Sequence, residues 1–336
     1  MRPFEDLTYR GRANRLRALA IQALTRYNLN VTRVQLVSNW TNAIFRVRTT
    51  GRASYIIRVC MPGWRTDTDL RSEIMWLRAL DRDTDIGVPK PEPARNGHYI
   101  VTARTLGVLK SCRCMVMSWL PGVILGSRLT EENLYRMGAL FAQLHDHGAA
   151  FSPPGGFTQR KMDSIYARGE TDILFEDTCR EAFTRHTRKI FERTLEKVHD
   201  AFTRRYADPS GLCVIHNDLH HENIKIYRGH LYPFDFEDTV WEYPVQDIAM
   251  ALQDLMVDVG PEAFDPLQLA FREGYESSGI WPADNWEEID TFRAGRMIWV
   301  TNYVACYERQ YLRKHIDKLS RCFEFFLETG MIRKPR

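Results

Sequence analysis

At 336 residues, 44% hydrophobic and 12% aromatic, the chain is long enough to bury one large core or two smaller ones. Lys plus Arg number 46 against 43 Asp plus Glu, a formal charge of +3 with no long basic run, which argues against a nucleic-acid partner. No uninterrupted apolar span of about 18 residues and no signal-like N-terminus appear, which excludes a membrane-spanning reading. The seven cysteines, odd in number and sparse, point to a reducing, cytoplasmic setting.

The first predicted element is a helix over Arg12–Tyr27, with Leu16, Leu19, Ala23 and Tyr27 at helical intervals. Strand-like runs follow at Val31–Val37, Ala43–Arg48 and Ser54–Cys60, the last two joined by the turn Thr49-Thr50-Gly51-Arg52. A helix over Asp67–Leu80 buries Leu70, Ile74 and Leu77, and Asp83–Asn96 reads as a loop rich in Pro and Asp. Strands at His98–Thr102 and Cys112–Trp119 complete a five-stranded antiparallel sheet, with Cys112 and Cys114 on one face as core thiols.

After Leu120-Pro121-Gly122 the pattern becomes helical: Glu131–His145, helices within Asp163–Tyr206, a segment from Asn285 towards His315, and a last one ending near Gly330. Cys213–Phe236 interrupts them as a strand-loop-strand unit. The predicted architecture is α+β. A small antiparallel-sheet lobe, residues 1–118, leads through a hinge, 119–124, into a large helical lobe, 125–336.

The stretch His216-Asn217-Asp218-Leu219-His220-His221-Glu222-Asn223, a turn at Arg228-Gly229, and Phe234-Asp235-Phe236 carry the chemistry. A hairpin can bring Asp218, Asn223 and Asp235 to one end. Phosphoryl transfer needs a carboxylate to take the acceptor's hydroxyl proton, and hard oxygens for the magnesium that bridges the phosphates. Asp218 suits the first task, Asn223 and Asp235 the second. His216, His220 and His221 lack a His-Glu-x-x-His helix, so zinc hydrolysis is disfavoured.

The segment resembles the His-Gly-Asp-Leu-His-x-x-Asn signature of the aminoglycoside phosphotransferase/choline kinase-like superfamily, relatives of protein kinases, with Asn217 in place of Gly. Phe234–Asp238 is similar to its Ile-Asp-Phe-Asp-Asp segment, and Asp247-Ile248-Ala249 to its Asp-Leu-Ala helix start. The resemblance spans about Val34 to Leu252. It implies a two-lobed, protein-kinase-like fold, with Asp218 as catalytic base and Asn223 and Asp235 on Mg2+. His216 and Asp247 brace the loop, and Leu144-His145 is a packing and hydrogen-bonding spot.

In the small lobe the resemblance implies a strand cation, here Arg58 in place of Lys, paired with Glu73 and touching the nucleotide phosphates. Arg58 is expected to point away from the apolar face, near solvent. Ser38-Asn39-Trp40-Thr41-Asn42 replaces a glycine-rich loop, so Ser38, Asn39, Thr41 and Asn42 are phosphate-cover candidates. The hinge Met117–Leu120, with Trp119, offers backbone groups to a purine edge.

The expected activity is transfer of the γ-phosphoryl group of ATP, with GTP also open, to a hydroxyl of a small polar molecule: aminoglycoside-, amino-acid-, sugar- or choline-like. Acidic residues at Asp218, Asp235, Glu237, Asp238 and Glu242 suit a cationic acceptor, while Tyr232, Trp241 and Tyr243 equally suit a neutral ring. A protein Ser/Thr kinase resembling the bacterial stress-response kinase is the alternative, disfavoured because only Glu237–Gln246 separate Asp235 from Asp247. A non-catalytic kinase-like module is disfavoured by the presence of all three chemical residues.

Overall fold

A computed structural model describes residues 2–39, 41–51, 53–108, 110–166 and 170–333. The chain divides into two compact units. The first comprises 1–122, 152–158 and 225–237, the second 123–151, 159–224 and 238–336.

The first unit opens with α1 (Tyr9–Leu24), whose N-terminus is capped by Thr8 Oγ1 accepting from Gly11 N at 3.2 Å. Then come β1 (Val31–Asn39), β2 (Asn42–Thr49), β3 (Ser54–Cys60), α2 (Asp67–Asp83), β4 (Pro91–Glu92), β5 (Ile100–Ala103) and β6 (Cys112–Ser118). The sheet is antiparallel, ordered β1-β2-β3-β6-β4 with β5 also pairing β6, so among the described residues it holds six strands. The strand missing from the predicted five is β4, which lies in the expected loop. Two residues containing a proline show no period-2 signal, yet Pro91 pairs with Met117 along an already formed β6.

One face of the sheet meets α1. Leu16, Leu19, Ala20 and Ala23 pack with Phe45, Val47, Ile57, Val59, Cys112 and Cys114. The alternation of β2 and β6 thus places both cysteines in the core as expected. Seven cysteines are free, and only Cys306 is exposed. The other helix, α2, starts in a capping box between Thr66 and Asp69 and buries Leu70, Glu73, Ile74, Trp76 and Leu77.

The second unit contains β7 (Val123–Ile124), α3 (Glu131–Ala150), α4 (Arg185–Ala207) and β8 (Cys213–Ile215). The chain then passes through β9 (Ile224–Tyr227) and β10 (His230–Pro233), a hairpin that turns at Arg228 and Gly229, both at positive φ. All but Ile224 of this hairpin belongs to the first unit. The second unit resumes with β11 (Val240–Glu242), antiparallel to β8, then α5 (Pro244–Val259), α6 (Pro261–Glu276), α7 (Trp286–Tyr307) and α8 (Leu312–Thr329). Packing of α3 on α6, of α5 and α4 on α7, and of α4 on α8 forms its core.

Two segments differ from the sequence expectation. The described part of 163–184 is largely irregular, with one short 3-10 turn at Asp177–Ala182 in place of an α-helix. The long segment from Asn285 towards His315 breaks at Glu308–Tyr311, where Glu308 leaves helical geometry at φ −134 and ψ 38. No described helix is long and apolar enough to cross a membrane.

Candidate active site

In the second unit the His216–Asn223 loop leaves β8 and is held from below by Asp247, in the first turn of α5. Asp247 is 1% exposed. Its Oδ1 accepts from Asn217 N at 2.7 Å, and its Oδ2 from His216 N at 3.2 Å. His145 Nε2 of α3 lies 3.3 Å from the same Oδ2, and His145 Nδ1 lies 3.0 Å from the Tyr275 hydroxyl of α6. Helix α3 reaches this close because residue 148 is glycine: a Cβ there would sit 2.0 Å from Val214 O on β8.

Asn217 has φ +63, which explains why a glycine signature tolerates asparagine here: Asn enters the left-handed region at less cost than other side chains. His216 accepts from Asp218 N through Nδ1 at 3.3 Å, an ordering contact within the loop. His220 accepts from Glu222 N, and His221 Nε2 meets Asp258 Oδ2 at 2.7 Å, so these histidines have structural partners.

Asp218 ends this construction. Asn223 Nδ2 donates to Asp218 O at 2.8 Å and to its Oδ2 at 3.2 Å, while Arg296 Nη2 of α7 lies 3.6 Å from Oδ1. The amide of Asn223 is thereby oriented, leaving its oxygen Oδ1 as the atom able to ligate a cation. Arg296 carries no sequence signal, because its partner lies far away in the chain. Its Cζ lies 4.6 Å over the Trp299 ring.

In the first unit Arg58 lies between Ile44 of β2 and Met115 of β6 and is 2% exposed, not near solvent as expected. Its burial has a direct cause: Glu73, 1% exposed on α2, accepts from both its terminal nitrogens, through Oε1 at 3.0 Å and through Oε2. Burial alone would lower the guanidinium's pKa, but the charges of Glu73, Cys60 and Glu237 hold it well above the ordinary value. Burial likewise raises the Glu73 carboxyl against the pull of Arg58.

Arg58 Nη1 also lies 3.7 Å from Asp235 Oδ1 and 3.7 Å from Glu237 Oε2. Asp235 has φ +67, a strained setting for a non-glycine residue, and its side chain is 44% exposed. The following Phe236 packs edge-on against Trp76 of α2 at 5.3 Å, pinning the turn that presents Asp235. Asp235 and Asn223 both offer hard oxygens, a donor chemistry that fits magnesium.

Glu237 is a hub that sequence reasoning named only as one acid among several. Its carboxylate accepts from Asn42 Nδ2 at 2.6 Å and Trp64 Nε1 at 3.1 Å, and its carbonyl from Arg65 Nε at 3.3 Å. Asn42 is therefore not a free phosphate cover. It is 6% exposed, begins β2, and its Oδ1 also accepts from Met61 N. Ser38 and Asn39 are half-buried at the end of β1, opposite Ile44 and Ala43, and Thr41 is exposed; Trp40 lies outside the described residues.

The acidic cluster is largely internal, since Glu237, Asp238 and Glu242 are 8%, 6% and 0% exposed. Burial pushes the Glu242 carboxyl up to about 8, against hydrogen bonds from Tyr243 N and the Tyr206 hydroxyl. At the predicted hinge, Trp119 carries two cations on its ring: Lys225 Nζ at 3.7 Å and Arg46 Cζ at 4.2 Å. Burial, with Arg46 adding, pushes Lys225 down to about 8.

Comparison with known proteins gives one family match: residues 32–286 fit the model of the phosphotransferase enzyme family. Amicoumacin kinase of Bacillus subtilis (strain 168) is 23% identical over 236 residues, 70% of this chain and 67% of that protein. Among solved structures, a microcompartment-associated aminopropanol kinase superposes with a TM-score of 0.75 at 20% identity, covering 94% of this chain and 99% of the other. An amicoumacin kinase, hAmiN, in complex with AMP-PNP, Ca2+ and Ami has a TM-score of 0.73 at 16% identity, covering 94% and 96%. The fold is thus the two-lobed, kinase-like α+β fold expected from the sequence.

Proposed function

Because the chain belongs to the phosphotransferase enzyme family, we propose that it transfers the γ-phosphoryl group of ATP, with magnesium, to a hydroxyl of a small polar molecule. The observation that carries this reading is the doubled hydrogen bond from Asn223 to Asp218, on a loop clamped by Asp247. A carboxylate fixed in this way accepts the acceptor's hydroxyl proton as the acceptor oxygen bonds to the γ-phosphorus. The phosphorus–oxygen bond to the nucleoside diphosphate breaks, and the proton rests on Asp218.

Asp235 and Asn223 are the residues that would hold magnesium, which when bound neutralises charge on the phosphates. Arg58, fixed by Glu73, is the phosphate-facing cation, and it orients Asp235 through Nη1. Ser38, Asn39 and Thr41 cover the phosphates with Trp119 beside the base. His216 and Asp247 position the loop without touching substrate.

A small acceptor is favoured over a folded protein because Asp238, Thr239, Val240, Glu242 and Tyr243 are all buried. The short run between Asp235 and α5 therefore has little exposed chain for docking a peptide. Relatives named for amicoumacin and aminopropanol make amine-bearing hydroxyl compounds the first acceptors to try. Arg296 beside Asp218 offsets part of the negative charge that a cationic acceptor would meet.

The test is calorimetric titration of AMP-PNP with and without magnesium into the wild type and Asp235→Asn. The wild type should show magnesium-dependent affinity that the variant loses. Equal magnesium dependence in both proteins would remove Asp235 from the metal site.

A further inference from the structure

Resting on the phosphotransferase reading above, the second unit bears on which chemical class of acceptor Asp218 serves. Helices α5 and α7 pack on each other, and a crevice opens where their facing stripes reach the Asp218 loop. Gln246 and Met250, four residues apart on α5, line it together with Phe292, Arg296 and Trp299, at helical spacing on α7. Gly295 helps keep it open: a Cβ there would meet Val198 Cγ1 at 3.1 Å and Ile165 Cγ2 at 3.2 Å. The room inside is about 20 Å³, that of roughly one water, so a terminal group enters and a ring does not.

Two polar groups in this mostly apolar crevice lack hydrogen bonds. Gln246 is 8% exposed, and its Oε1 is buried with no donor. The Arg296 side chain is 16% exposed; its Nη2 stands 3.6 Å from Asp218 Oδ1, too far for a hydrogen bond, and its Nε is buried with no acceptor. Among the described residues the guanidinium therefore has a charge neighbour and the Trp299 ring, but no oxygen that uses its fork. Donors buried in this way cost free energy until an acceptor meets them. Asp254 continues the Gln246–Met250 stripe of α5 by one more turn, and burial raises its carboxyl against the pull of the Arg296 charge. Two carboxylates thus surround one guanidinium, leaving negative charge in excess.

A planar fork of unused donors matches a carboxylate, and surplus negative charge beside it matches an ammonium. We infer that Arg296 reads a carboxylate on the acceptor, which makes the acceptor a hydroxylated amino acid in place of a simple amino alcohol or amino sugar. The carboxylate takes the Arg296 fork, the ammonium donates to Gln246 Oε1, and the hydroxyl faces Asp218. Because Arg296 and Asp218 stand 3.6 Å apart, the carboxylate and the hydroxyl that they hold are separated by only a few bonds, as in a β- or γ-hydroxy amino acid.

The experiment follows label from γ-labelled ATP, with magnesium, into three pairs of compounds that differ only by a carboxylate: serine and ethanolamine, threonine and 1-amino-2-propanol, homoserine and 3-amino-1-propanol. The full chain is used as wild type, Arg296→Met and Arg296→Lys, with thermal melts to establish folding. A charge-assisted contact to the carboxylate corresponds to roughly 10- to 150-fold. In at least one pair the wild type should favour the amino acid by that factor in kcat/KM. Arg296→Met should lose the preference, chiefly through KM, and Arg296→Lys, which keeps the charge without the fork, should retain part of it. Wild type that labels the amino alcohols equally or better overturns the inference and leaves the phosphotransferase reading standing. So does a variant that loses both members of a pair alike, since Arg296 then acts on Asp218 or on the phosphoryl group. Label in none of the six compounds also overturns it, and the magnesium–AMP-PNP titration then decides the phosphotransferase reading separately.

Discussion

Replacing Asp247 by Ala should unlock the loop that carries Asp218. Two buried backbone N–H groups, those of His216 and Asn217, would lose their acceptors, at about 1–3 kcal/mol each. The sum, about 2–6 kcal/mol, is a large share of the 5–15 kcal/mol typical of a folded domain. The left-handed backbone of Asn217 would also lose the bond that holds it there. Asp247→Asn should fall between, because its one oxygen can still accept from Asn217 N while its amide faces His216 N. Urea denaturation gives the stability, and amide hydrogen exchange at residues 216 and 217 gives the local opening. Exchange should accelerate at both amides in Asp247→Ala and mainly at His216 in Asp247→Asn. An alanine variant within about 0.5 kcal/mol of wild type, with both amides still protected, would refute the clamp.

Arg58→Ala should destabilise the first unit by about 3–5 kcal/mol, since it strands the buried Glu73 carboxylate; the double change Arg58→Met with Glu73→Leu should recover most of that in thermal melts without restoring nucleotide binding. Burial pushes the Glu242 carboxyl up to about 8 in the folded chain, far above the ordinary carboxylate range, so its protonated form is favoured by folding. Its contribution is fully present below the unfolded pKa of about 4.3 and is lost as pH rises towards 8. Glu242→Gln should therefore change stability little at pH 5 and raise it progressively up to pH 8, and a flat difference across that range would contradict the assignment.

The sheet and α2 were legible because their apolar residues recur at fixed intervals, and the chemical motif because its residue types and spacing are unusual together. Less legible was anything set by a distant partner. Nothing local distinguishes Arg58 from a surface arginine; Glu73, on the next helix, takes it into the core. Glu237 and Arg296 owe their places to residues far along the chain, Asn42 and Asp218, and no window around either residue encodes that. The break between α7 and α8 has no Gly or Pro to announce it, and β4 exists only because β6 is there to pair with it.

In the proposed mechanism Asp218 drives phosphoryl transfer to a small hydroxyl compound. The direct measurement follows label from γ-labelled ATP into a panel of hydroxyl-bearing metabolites and antibiotics, and in parallel into protein extracts, with wild type and Asp218→Ala. Label should enter small molecules with the wild type and fall by about 10²–10⁴-fold in Asp218→Ala, with nucleotide binding retained. Label confined to Ser or Thr of folded proteins, or transfer that survives in Asp218→Ala, would contradict it.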